Sequence, residues 1–103
     1  MQRTLILEDK TATRCYLESI IADLPQARLV GSFSHLQPAE QFVKQNAIDF
    51  AIVDLGLPDG NGQSFVELLN RRQPNTKVLI STIYDDADTF FHCLKLGANG
   101  YLV

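Results

Sequence analysis

Acidic side chains stand directly after two segments that have the composition of β-strands. Glu8 and Asp9 follow the apolar run at residues 5–7, and Asp54 follows the run at residues 50–53. If both runs are parallel strands of one sheet, their carboxyl ends meet at one edge, where ligands of such sheets bind. Carboxylates gathered there repel one another, and a divalent cation with oxygen ligands relieves that repulsion. The spacing therefore predicts a metal site, and Mg²⁺ fits best because it keeps several waters and accepts a phosphate ligand.

Asp54 has a further possible role in such a site. A carboxylate beside Mg²⁺ can attack a phosphorus centre and form an acyl phosphate. Residues 55–62, which follow Asp54, are rich in Gly and Pro, and the amides of such a loop can approach a phosphate. Thr82, at the end of the next apolar run, could donate its hydroxyl to a phosphoryl oxygen. The ordinary alternatives are that Glu8 and Asp9 only begin a helix, and that Thr82 is a plain strand residue.

The elements that would position these residues follow from alternating patterns along the chain. Short β-type runs are separated by longer segments whose apolar residues recur at helical spacing. This alternation is typical of a parallel sheet with helices on both faces. The predicted strands are residues 4–7, 29–33, 50–53, 78–81 and 101–103.

Four helices are predicted, each with an apolar side turned to the sheet. The first is residues 12–23, which Pro25 ends, and its inward residues are Leu17, Ile20, Ile21 and Leu24. The second has Pro38 in its first turn and Phe42 and Val43 inward. The third carries Phe65, Leu68 and Leu69 and ends near Arg72, and the fourth runs from Asp85 to Gly97. No residues follow Val103 to form another helix, so we expect a shortened form or a dimer that covers the open apolar face.

Length, charge and cysteine content limit the classes of function. The 103 residues suffice for one domain, and 46% of them are hydrophobic. The net charge of −3 argues against direct nucleic-acid binding, and the basic pair Arg71 and Arg72 is expected to be a solvated helix end. Cys15 and Cys93 have neither zinc-site nor disulfide spacing, so both are expected to be reduced and mostly packed, in a cytoplasmic protein. No apolar run is long enough to cross a membrane.

Four segments, taken in order and spacing, resemble the motifs of response-regulator receiver domains in two-component signalling. They are Leu-Ile-Leu-Glu-Asp at 5–9, Asp-Leu-Gly-Leu-Pro-Asp-Gly-Asn-Gly at 54–62, Val-Leu-Ile-Ser-Thr at 78–82 and Gly-Ala-Asn-Gly-Tyr-Leu-Val at 97–103. The resemblance covers the whole chain and is closest to the subfamily with a C-terminal helix-turn-helix output domain. It implies a flavodoxin-like α/β fold, a three-layer αβα sandwich with a five-stranded parallel sheet of order 2-1-3-4-5. Residues 1–103 would be one receiver domain that lacks its C-terminal helix.

The resemblance also implies a role for each residue at the predicted edge. Asp54 would be the phosphoacceptor, and Asp9 would ligate Mg²⁺ directly. Glu8 would act through the water shell of the metal, and the backbone carbonyl of Gly56 would supply a further ligand. The chain would thus be a phosphoprotein that accepts a phosphoryl group, and not an enzyme that turns over a substrate.

Signal transmission is implied to run through two further residues. Thr82 would be the switch hydroxyl, and Tyr101 the aromatic that turns inward with it, with a plain core residue as the less favoured alternative for Tyr101. The partners implied are a cognate sensor histidine kinase and a second copy of the chain. The parent protein would bind DNA through an output domain, for transcription regulation, while this chain binds neither nucleic acid nor membrane.

Two features depart from the family pattern. The family has a lysine directly after the position of Val103, where its ammonium pairs with the phosphoryl oxygens, and losing that contact costs about 1.5–3 kcal/mol. Ile83 is bulky where many receivers carry a small residue, which would narrow the access of phosphate to Asp54.

Other functions account for part of the pattern. A haloacid-dehalogenase-like phosphatase needs a second carboxylate two residues after the nucleophile, where this chain has Gly56. A flavodoxin-like cofactor binder needs a glycine- and hydroxyl-rich phosphate loop after the first strand, where Glu8 and Asp9 would repel a phosphate. A phosphorylation-independent receiver-like dimerisation or interaction module stays open, since the acidic residues argue against it and the absent lysine and helix argue for it.

Overall fold

The chain folds around one parallel five-stranded sheet, in a computed structural model that describes residues 1–81 and 100–102. In chain order the elements are β1 (Gln2–Leu7), α1 (Thr11–Ala22), β2 (Ala27–Phe33), α2 (Leu36–Val43), β3 (Phe50–Val53), β4 (Gly56–Leu57), β5 (Gly60–Asn61), α3 (Gly62–Arg72), β6 (Lys77–Ser81) and β7 (Gly100–Leu102). The sheet has the order β2-β1-β3-β6-β7, and each neighbouring pair is parallel. Since β4 and β5 lie outside this sheet, the observed order is the predicted flavodoxin-like one.

The register of the central strands brings their carboxyl ends to one level. Leu7 of β1 is paired with Val53 of β3, which is paired in turn with Ile80 of β6. The next residue of β3, Asp54, donates its backbone N–H to the carbonyl of Leu7 at 2.8 Å. The ladder therefore continues one residue beyond the strands, and the segments that follow β1 and β3 leave the sheet together.

Each face of the sheet buries its own apolar cluster. On one face, α2 and α3 cover alternate strand residues, which include Leu5, Leu7, Ala51 and Val53. On the other face, Leu17 and Ile21 of α1 pack against Ile6 of β1 and Ile52 of β3. Because strand residues alternate between the faces, both clusters require the near-continuous apolar runs that the sequence shows. This confirms the layered α/β prediction for the described residues.

The first helix differs in part from its prediction. It spans Thr11–Ala22, with Leu17 and Ile21 buried, whereas Ile20 and Leu24 are each 38% exposed. A helix advances about 100° per residue, so Leu17 and Ile21 share the side that faces the sheet while Ile20 stands at its margin. The expectation that Cys15 is packed was wrong, because this free cysteine is exposed on α1.

The second and third helices lie where the sequence predicted them. Pro38 lies in the first turn of α2, and α3 ends at Arg72. Arg71 and Arg72 are exposed at that end, as expected for a solvated helix terminus. No helix in the described part of the chain is long and apolar enough to span a membrane.

Several predicted features fall on residues that the structure does not describe. The fourth helix, Cys93, Ile83 and the switch hydroxyl of Thr82 lie outside the described residues. The backbone of Tyr101 is part of β7, but its side chain is not described.

Candidate metal centre at the carboxyl edge of the sheet

Three carboxylates converge at the carboxyl edge of the sheet, as the sequence predicted. Glu8, Asp9 and Asp54 each offer an oxygen, and these oxygens all lie within 4.8 Å of one another. Glu8 is 5% exposed and Asp54 is 8% exposed, while Asp9 is partly exposed. The cluster is therefore a recessed acidic site whose opening to solvent lies on the side of Asp9.

Burial and mutual repulsion disfavour the ionised forms of two of these groups. Burial is the largest cause that raises the pKa of Glu8 from 4.5 to about 7, followed by a hydrogen bond with Asp54. Burial likewise raises the pKa of Asp54, whereas the hydrogen bond with Glu8 lowers it. Protonated Glu8 can thus donate to an ionised Asp54, and the site has an affinity for positive charge, either a proton or a cation.

The β1–α1 connection holds Glu8 by its backbone as well as its side chain. The backbone N–H of Glu8 donates to the carbonyl of Phe33 at 2.9 Å, which extends the β1–β2 pairing. The N–H of Lys10 donates to Oε2 of Glu8 at 3.2 Å, and Nη1 of Arg14 donates to the carbonyl of Glu8 at 3.0 Å. These bonds limit the positions that the Glu8 carboxylate can take.

The loop after Asp54 begins against the same carboxylate. The backbone N–H of Gly56 donates to Oδ1 of Asp54 at 3.3 Å, which orients this side chain. The segment predicted as an irregular loop contains a short antiparallel hairpin, because Gly56 pairs with Asn61 and Leu57 pairs with Gly60. The turn of this hairpin is formed by Pro58 and Asp59, residue types that favour turns.

Gly62 closes the base of that hairpin and needs to lack a side chain. A Cβ on Gly62 would stand 2.2 Å from the backbone oxygen of Asp54 and 3.0 Å from Cα of Leu55. Its N–H donates to the carbonyl of Leu55 at 2.9 Å. The glycine therefore allows the start of α3 to pack directly on the backbone of the phosphoacceptor candidate.

Asp59 makes a structural contact that was not predicted from the sequence. Its Oδ1 accepts the N–H of Leu36 at 2.7 Å, and its Oδ2 accepts the N–H of Gln37 at 3.0 Å. Both donors belong to the first turn of α2, which lies 22 and 23 residues away in sequence. The available signal was a turn aspartate together with a helix whose N-cap, His35, makes no capping bond, but nothing in the sequence pairs the two.

The donor set fits a small hard cation. The three converging side chains supply only oxygen, the ligand type that Mg²⁺ and Ca²⁺ prefer, and none supplies nitrogen or sulfur. Of the sequence-predicted site residues, the structure brings together Glu8, Asp9 and Asp54, with Gly56 directly beside Asp54. Thr82 and the Tyr101 side chain are outside the described residues, so their predicted roles stay predictions.

Comparison with known proteins agrees with this geometry. Residues 4–103 match the family described as the response regulator receiver domain. The transcriptional regulatory protein DegU from Brevibacillus brevis is 31% identical over 99 residues, which cover 96% of this chain and 42% of that protein. The oxygen regulatory protein NreC from Staphylococcus haemolyticus is 30% identical over 102 residues, which cover 98% of this chain and 47% of that protein. The chain thus spans less than half the length of these relatives.

A solved structure has the same fold. The signal receiver domain of the response regulator NarL from Mycobacterium tuberculosis superposes with a TM-score of 0.89 at 21% identity, covering 98% of this chain and 82% of that one.

Proposed function

This chain belongs to the receiver-domain family of response regulators, and we propose that it accepts a phosphoryl group on Asp54 with Mg²⁺ bound beside that residue. The observation that carries the proposal is the convergence of Glu8, Asp9 and Asp54 within 4.8 Å of one another. Two of these carboxyls have raised pKa values, which is the electrostatic condition of a site that gains stability from a cation.

In the proposed reaction, an oxygen of the Asp54 carboxylate attacks phosphorus in a phosphohistidine of a partner kinase. The new O–P bond forms as the P–N bond breaks, and its electron pair goes to the imidazole nitrogen, which takes up a proton. When bound, Mg²⁺ neutralises charge on the transferred group. The N–H of Gly56 keeps the Asp54 carboxylate oriented, and the burial of Asp54 limits the access of water.

Asp9 and Glu8 have separate tasks in holding the cation. Asp9, the more exposed of the two, would be a direct ligand, and the backbone carbonyl of Gly56 would be another. Glu8 would bind a water of the metal, with its carboxylate held by the N–H of Lys10. Glu8 would take that role in its ionised form, so below about pH 7 it would give up its proton when a cation is held there.

The identity of residue 56 favours a signalling role over turnover of a substrate. Gly56 occupies the position where an aspartyl-phosphate hydrolase carries its second carboxylate. The acyl phosphate would therefore persist and be read out through Thr82 and Tyr101. The parent protein would couple this switch to a DNA-binding output domain and act in the cytoplasm. The relatives that are named regulatory proteins support the regulatory part of this proposal.

A second candidate is a dimerisation module that works without phosphate. It is favoured by the exposed apolar residues of α1, where Tyr16 is 65% exposed and Ile20 is 38% exposed. These two side chains are four positions apart and so are neighbours on the outer side of the helix. They are compatible with a homodimer, whether or not Asp54 is phosphorylated.

The sensitivity of the phosphoryl linkage to hydroxylamine distinguishes the two candidate functions. After incubation with acetyl phosphate and Mg²⁺, an aspartyl phosphate is cleaved by neutral hydroxylamine, whereas a phosphate ester of Ser, Thr or Tyr survives. Reductive trapping with borohydride and peptide mapping would then mark Asp54. A phosphoryl group that resists hydroxylamine, or that maps elsewhere, contradicts the proposal, and no uptake by the folded chain favours the dimerisation module.

A further inference from the structure

The hairpin that begins at Gly56 has a tip fixed by few contacts. Its base is held by Leu55, which is 2% exposed, and by Gly62, which packs on the backbone of Asp54. Between them, residues 58–61 are exposed. Because Gly56 pairs with Asn61 across the hairpin, a contact that holds this tip also restrains Gly56.

The contact that holds the tip is Asp59 on the first turn of α2. The two oxygens of its carboxylate accept two helix N–H groups, at 2.7 Å from Leu36 and 3.0 Å from Gln37. A carboxylate at a helix N-terminus is stabilised both by these hydrogen bonds and by the helix dipole. Backbone hydrogen bonds from the two residues lower the pKa of Asp59, so it stays ionised at neutral pH.

The start of α2 depends on this carboxylate in return. The N-cap residue, His35, makes no side-chain capping bond, and the first turn contains no acidic residue. Pro38 has no N–H, and Asp59 accepts from two of the other three residues that begin the helix. An exposed hairpin residue therefore supplies the cap that α2 does not supply itself.

A second contact joins the same two elements. A Cβ on Gly60, whose φ is +154°, would stand 2.9 Å from Cδ2 of Leu36. Leu36 is itself buried in the apolar cluster between the sheet and α2. The tip of the hairpin is thus packed on a fixed residue as well as hydrogen-bonded to the helix end.

We infer that Asp59 is a positioning residue for the metal site, which anchors the β4–β5 hairpin to α2 and thereby holds Gly56 beside Asp54. The inference rests on the proposed function, in which the Gly56 carbonyl binds Mg²⁺ and its N–H orients the Asp54 carboxylate. Asp59 itself touches neither the cation nor the phosphoryl group. Asp59 is three residues from Gly56, and it acts on the site by restraining the hairpin that contains both residues.

The test compares Mg²⁺ affinity and folding stability in variants of the full chain. Asp59→Ala removes both acceptor oxygens, Asp59→Asn keeps one of them because its amide nitrogen cannot accept a hydrogen bond, and Asp59→Ser offers one hydroxyl on a shorter side chain. Asp23→Ala is the matched control, because Asp23 is an exposed aspartate at the C-terminal end of α1 and its side chain makes no hydrogen bond to the described residues. The dissociation constant for Mg²⁺ is measured by NMR titration at pH 8, and stability is measured by urea unfolding.

We expect Asp59→Ala to weaken Mg²⁺ binding about tenfold, the lower end of the range for groups that support metal ligands. Asp59→Asn should lie between the parent chain and Asp59→Ala, because it keeps one of the two acceptors. Asp59→Ser should lie between Asp59→Asn and Asp59→Ala, because its hydroxyl stands on a shorter side chain. Asp23→Ala should leave the dissociation constant unchanged. The rate of phosphorylation by acetyl phosphate should recover in Asp59→Ala at saturating Mg²⁺.

Two results would overturn the inference, and they can be told apart from failure of the proposed function. If Asp59→Ala is less stable to urea but binds Mg²⁺ as the parent does, Asp59 only stabilises the fold. If Asp59→Asn weakens binding as much as Asp59→Ala, the hydrogen bond that the amide oxygen can still accept does not help to position Gly56, and Asp59 acts through its charge. If the parent chain binds no Mg²⁺, the proposed function fails, and the inference fails with it.

Discussion

Glu8 and Asp54 are carboxyls that the fold buries side by side. Their closeness costs stability whenever both are ionised, because burial and repulsion oppose the charged forms. A proton on Glu8 relieves the cost at low pH, and a cation in the site would relieve it at neutral pH. The pair therefore lowers the stability of the fold unless a proton or a cation compensates its charge.

The pH dependence of unfolding tests this electrostatic arrangement. The folded state binds the Glu8 proton more tightly than the unfolded chain, because folding raises the pKa from 4.5 to about 7. The native state then carries more protons than the unfolded state, so the free energy of unfolding falls as pH rises between these values. In EDTA, urea unfolding of the parent chain should show this fall, and Glu8→Gln should reduce it. An equal pH dependence in the two proteins would contradict the raised pKa.

Gly62 is the residue whose replacement should disturb Asp54 most directly without changing charge. Gly62→Ala places a Cβ 2.2 Å from the Asp54 backbone oxygen, so the backbone must shift. We expect a loss of about 2 kcal/mol or more in the free energy of unfolding, as for overpacked sites, together with weaker Mg²⁺ binding. Ser64→Ala in the same helix is the control, since it removes a single exposed hydrogen bond. Parent-like stability of Gly62→Ala would contradict the described packing.

The residues at the site differ in how far the sequence could predict them. Glu8, Asp9 and Asp54 were predictable because they follow apolar runs, and parallel strands place such residues at one edge. Asp59 was not predictable, since its partners lie on another element and a turn aspartate alone indicates only a turn. Contacts that depend on tertiary approach leave no local signal.

At the scale of elements, the connection that leads into β3 is held by two side chains of the α3–β6 connection. Gln73 accepts the N–H of Ile48 through Oε1 at 2.7 Å and donates through Nε2 to the carbonyls of Val43 and Asn46, both at 2.9 Å. Thr76 donates its hydroxyl to the carbonyl of Ile48 at 2.6 Å. Together they satisfy backbone groups of the α2–β3 connection, which has no regular structure of its own.

Replacing Gln73 tests the contribution of this connection to stability. Gln73→Ala removes three hydrogen bonds and leaves the N–H of the buried Ile48 without its acceptor, so we expect a loss of about 2–3 kcal/mol in unfolding free energy. Gln45→Ala in the same connection should change little, because its side chain makes no hydrogen bond with the described residues. Since Gln73 lies at the edge opposite Asp54, phosphorylation of the folded variant should match the parent. Loss of phosphorylation in a folded Gln73→Ala would contradict that separation.

The helices and strands were predicted well where the apolar residues have a clear period, and less well where tertiary packing determines the structure. All five strands of the sheet lie where the runs predicted, within two residues at either end. The β4–β5 hairpin was missed because two-residue strands carry no period. The outward position of Ile20 was missed because helical spacing alone does not tell a buried residue from one at the margin.

At the scale of the whole molecule, the sheet separates two unequal apolar clusters. In the described residues, α2 and α3 cover the larger cluster, and α1 alone covers the smaller one. The fold is that of a receiver domain, and the chain covers 42% to 47% of the length of its relatives DegU and NreC.

Self-association is the prediction that belongs to this scale. If the exposed apolar side of α1 contributes to a homodimer, sedimentation of the parent chain should show association that increases with concentration. Ile20→Glu should shift the equilibrium toward monomer, because it places a charge in that surface, whereas Arg28→Glu on the exposed side of β2 should not. Monomers at all concentrations for the parent would contradict the homodimer.

The central claim, that this receiver domain takes a phosphoryl group on Asp54 with Mg²⁺, is tested most directly by intact-mass measurement. The chain is incubated with acetyl phosphate and Mg²⁺, beside a sample in EDTA and an Asp54→Asn variant shown to be folded by circular dichroism. The account predicts the gain of one phosphoryl group, about 80 Da by the formula HPO₃, only in the parent chain with Mg²⁺. An equal gain in Asp54→Asn, or no gain in the folded parent, would contradict it.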